Sequence, residues 1–172
     1  MTVGAQGTGW GVPLAAGAVA LSGAAAWLVL VAQPRPAGAV AGAAGAALIA
    51  GGRLAERRGR PLERILDSLA DRVFDGAVLA AVAWSARPSD PSTAAGALAA
   101  LAAGFLGSYV RARGASLGYG VEESAKTRGL RYLLVAGGLA AGWTRWTVWA
   151  VGVVSALAAA VRASQVAKEE RA

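Results

Sequence analysis

Apolar residues in this chain come in long blocks, and the blocks predict its elements. No charged side chain precedes Arg35. Charge-free runs then cover 37–52, 76–86, 91–110, 132–144 and 146–161. A helix that spans a bilayer takes about 20 apolar residues. Several runs are shorter, but each reaches that length once flanking turns with interfacial Arg, Asp or Trp are included. The pattern predicts an all-α integral membrane protein: six transmembrane helices in one domain, 1–172, with a loose lead-in over 1–12 and a polar tail over 163–172.

Local signals place the helix ends. The first helix is expected near 13–31, with Pro13 tolerated in its opening turn. The segment "QPRPAG" reads as a turn, and a second helix starts near residue 37. That helix is nearly all Gly and Ala and holds Gly38 and Gly42 four apart, a spacing that lets helices approach closely in lipid. Generic tight packing and a specific dimer contact are both open readings of it. "RLAERRGRPLER" reads as a polar link. The third helix runs from 62 or 63 to about 84, and the fourth follows "RPSDPST" to about 113. A long link, "GASLGYGVEESAKTRG", precedes the fifth helix. "WTRW" turns the chain into the sixth. Trp10 sits in the lead-in, Glu122 and Glu123 on a solvated loop face, and Trp27, Trp84, Trp143 and Trp146 at the interfaces.

Charge orients the bundle. Arg53, Arg57, Arg58, Arg60 and Arg64 flank the second link, and Arg111, Arg113, Lys126, Arg128 and Arg131 flank the fourth. Arg162, Lys168 and Arg171 follow the last helix, whereas the opposite links hold only Arg35, Arg87 and Arg145. The positive-inside rule then places both termini and the basic links in the cytoplasm. The net charge of +7 thus reports topology and anionic lipid contact, and no nucleic-acid partner is expected. The first apolar segment has no positive n-region and is expected to stay as a helix.

The chain has no cysteine and no histidine, which removes disulfides, thiolate sites and the commonest general base. Chemistry must rest on carboxylates, hydroxyls, Lys or Arg. One stretch concentrates them: in "RILDSLADRVFDGAVLAAVAW", Asp67, Asp71 and Asp75 stand four residues apart. A four-residue step returns to nearly the same helix face, so they form a stripe roughly 12 Å long. Like charges at this spacing repel, and at membrane depth they need a partner. A hard divalent cation that acts on phosphates is one candidate partner. Salt bridges to Arg64, Arg72 or arginines of neighbouring helices are the other.

Two segments carry a family resemblance. "LDSLADRVFDGAV" resembles the second half of the signature of CDP-alcohol phosphatidyltransferases, D-x-x-D-G-x-x-A-R followed by G-x-x-x-D-x-x-x-D. "GSYVRARGASLG" with "TRGLR" resembles the basic segments of the actinobacterial phosphatidylinositol-phosphate synthase branch. The resemblance covers roughly residues 14–161. It implies six helices, a cytoplasmic polar cavity in a bacterial cell membrane, and a homodimer. It also implies transfer of a phosphatidyl group from a CDP-linked lipid to a polar alcohol, with Mg²⁺ or Mn²⁺ as cofactor and CMP released. Carried over, Asp67 is a metal ligand and Asp71 the catalytic base. Ser108, Arg111, Arg128 and Arg131 take the acceptor's phosphate, and Gly52 and Ala55 sit in the nucleotide-binding half.

The first half of the signature departs from the pattern. In "LIAGGRLAER", aligned on Gly52 and Ala55, the two expected aspartates are Leu48 and Gly51, the Arg after Ala55 is Glu56, and the Gly before Asp67 is Glu63. Glu56 and Glu63 are the only substitute carboxylates nearby, and the role of Asp75 is open. Three functions follow as alternatives: an active transferase with an unusual carboxylate set; a catalytically silent binding or assembly subunit, paired with itself or an intact paralogue; or a small transporter using the aspartates as an ion path.

Overall fold

The structure is a computed structural model that describes residues 11–121 and 125–170. Trp10, Glu122, Glu123, Arg171 and all but the end of the lead-in lie outside the described residues. Among the described residues six helices follow one another: α1 (Gly11–Leu30), α2 (Pro34–Arg58), α3 (Pro61–Ala86), α4 (Pro91–Ser116), α5 (Ala125–Ala141) and α6 (Thr144–Glu169). The described residues contain no strand.

Proline sets three of the six starts. Pro34, Pro61 and Pro91 each occupy a first helical turn, where the missing N–H costs nothing. Asp90 caps α4: its Oδ1 accepts the Thr93 amide at 3.1 Å. The Thr93 hydroxyl, which donates to Oδ2, and then this amide contact hold the Asp90 carboxyl below the usual carboxylate range. Gly59 ends α2 in the left-handed region, φ 66°, and its amide donates to the Ala55 carbonyl.

Four boundaries differ from the sequence expectation. Helix α2 opens at Pro34, inside the segment expected to be a turn, because proline suits a first helical turn. The expected second link is largely helical, because α2 continues through its basic turn to Arg58 and only Gly59 and Arg60 separate it from α3. Arg57 and Arg58 in the last turn of α2 favour that extension through the helix dipole. Helix α5 starts at Ala125, so Arg128 and Arg131 sit on a helix. The tail stays helical to Glu169.

Packing runs round a closed ring, α1–α2–α5–α6–α4–α3 and back to α1, with α2 and α3 also in contact. Helix α2 presents a stripe of small residues (Ala37, Gly38, Ala41, Ala44, Gly45) to its neighbours. Gly38 meets α5 backbone to backbone, and a Cβ there would lie 2.4 Å from the Ala140 nitrogen. The Gly38/Gly42 pair therefore serves a close crossing within the chain. The apolar core runs through Phe74, Val78, Leu48, Leu139, Val148 and Val151.

Burial is inverted relative to a water-soluble domain. Trp27, Leu133, Trp146 and Leu157 are exposed, whereas Asp71, Asp75, Arg131 and Arg162 are buried. An apolar exterior this extensive matches lipid. Helices α1, α2, α4 and α6 are long and apolar enough to cross a membrane, which makes this an integral membrane protein. Helix α3 carries the aspartates, and α5 has 17 residues.

Candidate functional site

The site grows from two helix faces that read in register. On α3 the aspartates recur every four residues. On α5, Arg128, Arg131 and Tyr132 recur at three and four, one face of a second helix. The α3 and α5 backbones do not pack closely. Long side chains span the gap between them.

Each aspartate finds a cation. Arg128 Nη1 donates to Asp67 Oδ2 at 2.7 Å, while its Nε lies 3.4 Å from Asp71 Oδ2. One guanidinium thus sits between two carboxylates. Tyr132 donates its hydroxyl to the other oxygen of Asp71. Deeper in the bundle, Arg131 donates to Asp75, and Arg72 reaches the same oxygen at 3.0 Å. Arg72 Nη1 also donates to the Gly104 carbonyl at 3.0 Å, tying the cluster to α4. Three guanidinium groups face three carboxylates, so the row is neutral, as charges at membrane depth require.

Helix α2 makes room for this. A Cβ on Gly52 would lie 2.7 Å from Arg128 Nη1 and 3.0 Å from Asp67 Oδ2. The Asp67–Arg128 pair occupies the space that a side chain would take. Leu48 is buried in the apolar core, and Gly51 faces Asp67 with no donor atom to offer.

Beside this row opens a cavity of about 500 Å³, lined by Gly52, Ala55, Glu56, Arg64, Asp67, Ser68, Arg111, Val121 and Arg128. Three guanidinium groups and two carboxylates share its wall. Arg111 donates to Ser68 Oγ at 3.0 Å, which fixes its fork at the α3–α4 contact. Such forks match phosphate oxygens in shape and charge. A larger cavity, about 610 Å³, opens at the opposite end among Asp90, Trp143, Arg145 and Trp146, and none of Asp67, Asp71 and Asp75 lines it.

The structure brings together Asp67, Asp71, Arg111, Arg128, Gly52, Ala55 and Glu56. Arg131 turns away from the cavity to Asp75. Ser108 stands half-buried on α4 and is not part of the cavity wall. Glu63 is buried beside Arg58 and Arg60, at 3.7 and 3.6 Å, also outside the wall. Ser68 and Tyr132 escaped the sequence reading. Tyr132 stands four residues after Arg128, and that spacing was the available signal.

A two-metal centre needs several clustered carboxylate oxygens. Among the described residues no group of three His, Cys, Asp or Glu forms such a cluster. Asp67 on the cavity wall and Asp71 one turn deeper already share Arg128. The residues present do not fit a two-metal centre.

No family model and no curated protein matches the sequence. Solved structures do match the fold. The Mycobacterium tuberculosis phosphatidylinositol phosphate synthase PgsA1 in complex with manganese and citrate superposes with a TM-score of 0.72 at 20% identity, covering 91% of this chain and 79% of that one. The apo form of the same protein gives 0.74 at 21% identity, over 91% and 86%. At this identity the likeness shows a shared fold.

Proposed function

We propose that this chain is a membrane protein of phospholipid metabolism that keeps the phosphatidyltransferase fold as a binding or assembly subunit. It holds a phosphate-bearing polar head group in the cavity between Arg64, Arg111 and Arg128. The observation that carries this reading is the guanidinium of Arg128 between Asp67 and Asp71. A carboxylate pair already bridged by a fixed cation is poorly placed to recruit a metal or to accept a proton. All six helices span the bilayer in this reading, with both termini and the cavity on the cytoplasmic side, and the chain pairs with a second copy or an intact relative.

One observation favours a second reading, active transfer. Asp67 and Glu56 line the same cavity as Arg111, and Asp71 lies one turn deeper. An enzyme of this kind would move a phosphatidyl group from a CDP-linked lipid to a polar alcohol, with Mg²⁺ or Mn²⁺ and release of CMP. The likeness to a phosphatidylinositol phosphate synthase solved with manganese supports this class of chemistry.

A turnover assay separates the two readings. Purified protein is incubated with CDP-diacylglycerol, Mn²⁺ and a panel of polyols and phosphorylated polyols, and CMP is measured. The binding reading expects no CMP above the level of Asp71→Asn. Metal-dependent release abolished by Asp71→Asn would establish the enzyme instead.

A further inference from the structure

We propose that Arg128 is a built-in cation: its guanidinium takes the place between Asp67 and Asp71 that a divalent ion would otherwise fill, and a metal site appears in this protein only when Arg128 is removed. The inference deepens the binding reading above and rests on it for the identity of the ligand.

Four features converge on this assignment. Arg128 contacts both carboxylates with different nitrogens, Nη1 to Asp67 at 2.7 Å and Nε toward Asp71 at 3.4 Å. A bridging cation is held in that way. The remaining Asp71 oxygen accepts from Tyr132, so the carboxylate has no open oxygen on the α5 side. Gly52 leaves a gap in α2 where a Cβ would collide with Arg128 and Asp67 alike, so the helix backbone accommodates the ion pair itself. The rest of the row follows the same rule: Asp75 is matched by Arg131 and Arg72, not left open.

Charge and geometry make the arrangement exclusive. A divalent ion brought to Asp67 would meet the guanidinium at contact distance. Two like charges at that distance repel strongly, and the divalent ion carries twice the charge of the guanidinium. A guanidinium keeps its proton at any physiological pH, so it cannot step aside by titrating. It can only move as a whole or be replaced. Replacing Arg128 with a neutral residue leaves Asp67 and Asp71 one turn apart with no cation between them. Such oxygens invite a hard cation. The stabilising role of Arg128 would then pass to the metal.

The test needs only the metal, so it is independent of any head group. Wild type, Arg128→Gln, Arg128→Lys and Arg128→Gln/Asp67→Asn are purified in detergent and titrated with Mn²⁺, followed by calorimetry and electron paramagnetic resonance. Wild type and Arg128→Lys are expected to show no saturable binding. Arg128→Gln is expected to bind one Mn²⁺ per chain with a dissociation constant of about 0.1–1 mM, lost again in the double variant. Mn²⁺ should raise the thermal midpoint of Arg128→Gln alone. Saturable, Asp67-dependent binding by wild type would overturn the inference, as would a folded Arg128→Gln chain that leaves Mn²⁺ unbound. Should Arg128→Gln fold neither with nor without Mn²⁺, the wild-type and Arg128→Lys titrations decide by the same criterion. Failure of the binding reading looks different: head groups would not bind, whatever the metal result.

Discussion

At the scale of single residues, the molecule's distinctive feature is how it neutralises carboxylates. The sequence shows Asp67, Asp71 and Asp75 on one face and requires a partner for them. It does not select the partner, because Arg128 and Arg131 lie about sixty positions away and only the fold brings α5 across the gap. Arg131 and Asp75 form a buried pair at 6% and 4% exposure. Removing Arg131 leaves Asp75 with Arg72 alone, and costs at most about 3–5 kcal/mol, the cost of a broken buried pair. Arg131→Leu should therefore lower the unfolding midpoint in detergent sharply, and Asp75→Asn added to it should restore part of the loss. A double variant no better than the single would show that Arg131 acts through packing alone. Gly52 offers a finer probe. Gly52→Ala keeps the helix but pushes a methyl group into the Asp67–Arg128 pair, and it should weaken head-group binding about tenfold, the loss of one charged contact. Titration of the variant beside wild type checks this, and unchanged affinity would place the ligand away from Arg128.

At the scale of elements, the apolar runs marked all six helices because each run is bounded by Pro, Gly or charge, signals that act locally. The ends were less legible. Arg57, Arg58 and the polar residues beyond Val161 read as links or tail, yet they continue helices, since helical backbone satisfies itself and polar side chains at a helix end reach water. The α2–α5 crossing depends on contact that a sequence cannot display. Gly38→Leu should block it, because the α5 backbone has nowhere to go; folded yield after solubilisation reads this, and normal yield would contradict the crossing. The α4 cap gives a pH prediction. The Asp90 carboxyl is held below its ordinary value of 3.8, so the cap's contribution is full above that value and fades as pH falls through it toward the lower folded value. Asp90→Ala should be less stable than wild type at neutral pH, with the difference shrinking in acid. A constant difference across that range would rule out the ionised cap.

At the scale of the whole molecule, basic residues gather at one end with the arginine cavity, and tryptophans gather at the other, where Arg87 stacks on Trp84 at 3.8 Å. The absence of cysteine makes orientation directly measurable. Ser89→Cys should react with an impermeant thiol reagent from outside intact cells, and Arg57→Cys and Ala167→Cys only after the membrane is opened. The reverse pattern would place the cavity outside. The helical fold was readable from the chain; the state of the site was not, because it turns on which cation meets Asp67. The most direct test of the central claim, a head-group site that works without metal, is a calorimetric titration of wild-type protein with phosphorylated polyols and with CDP-diacylglycerol, in EDTA and in Mn²⁺. Saturable binding of at least one of these in EDTA, unchanged by Mn²⁺ and lost in Arg111→Ala, is the predicted result. Binding that appears only with Mn²⁺ and disappears in Asp67→Asn would contradict it.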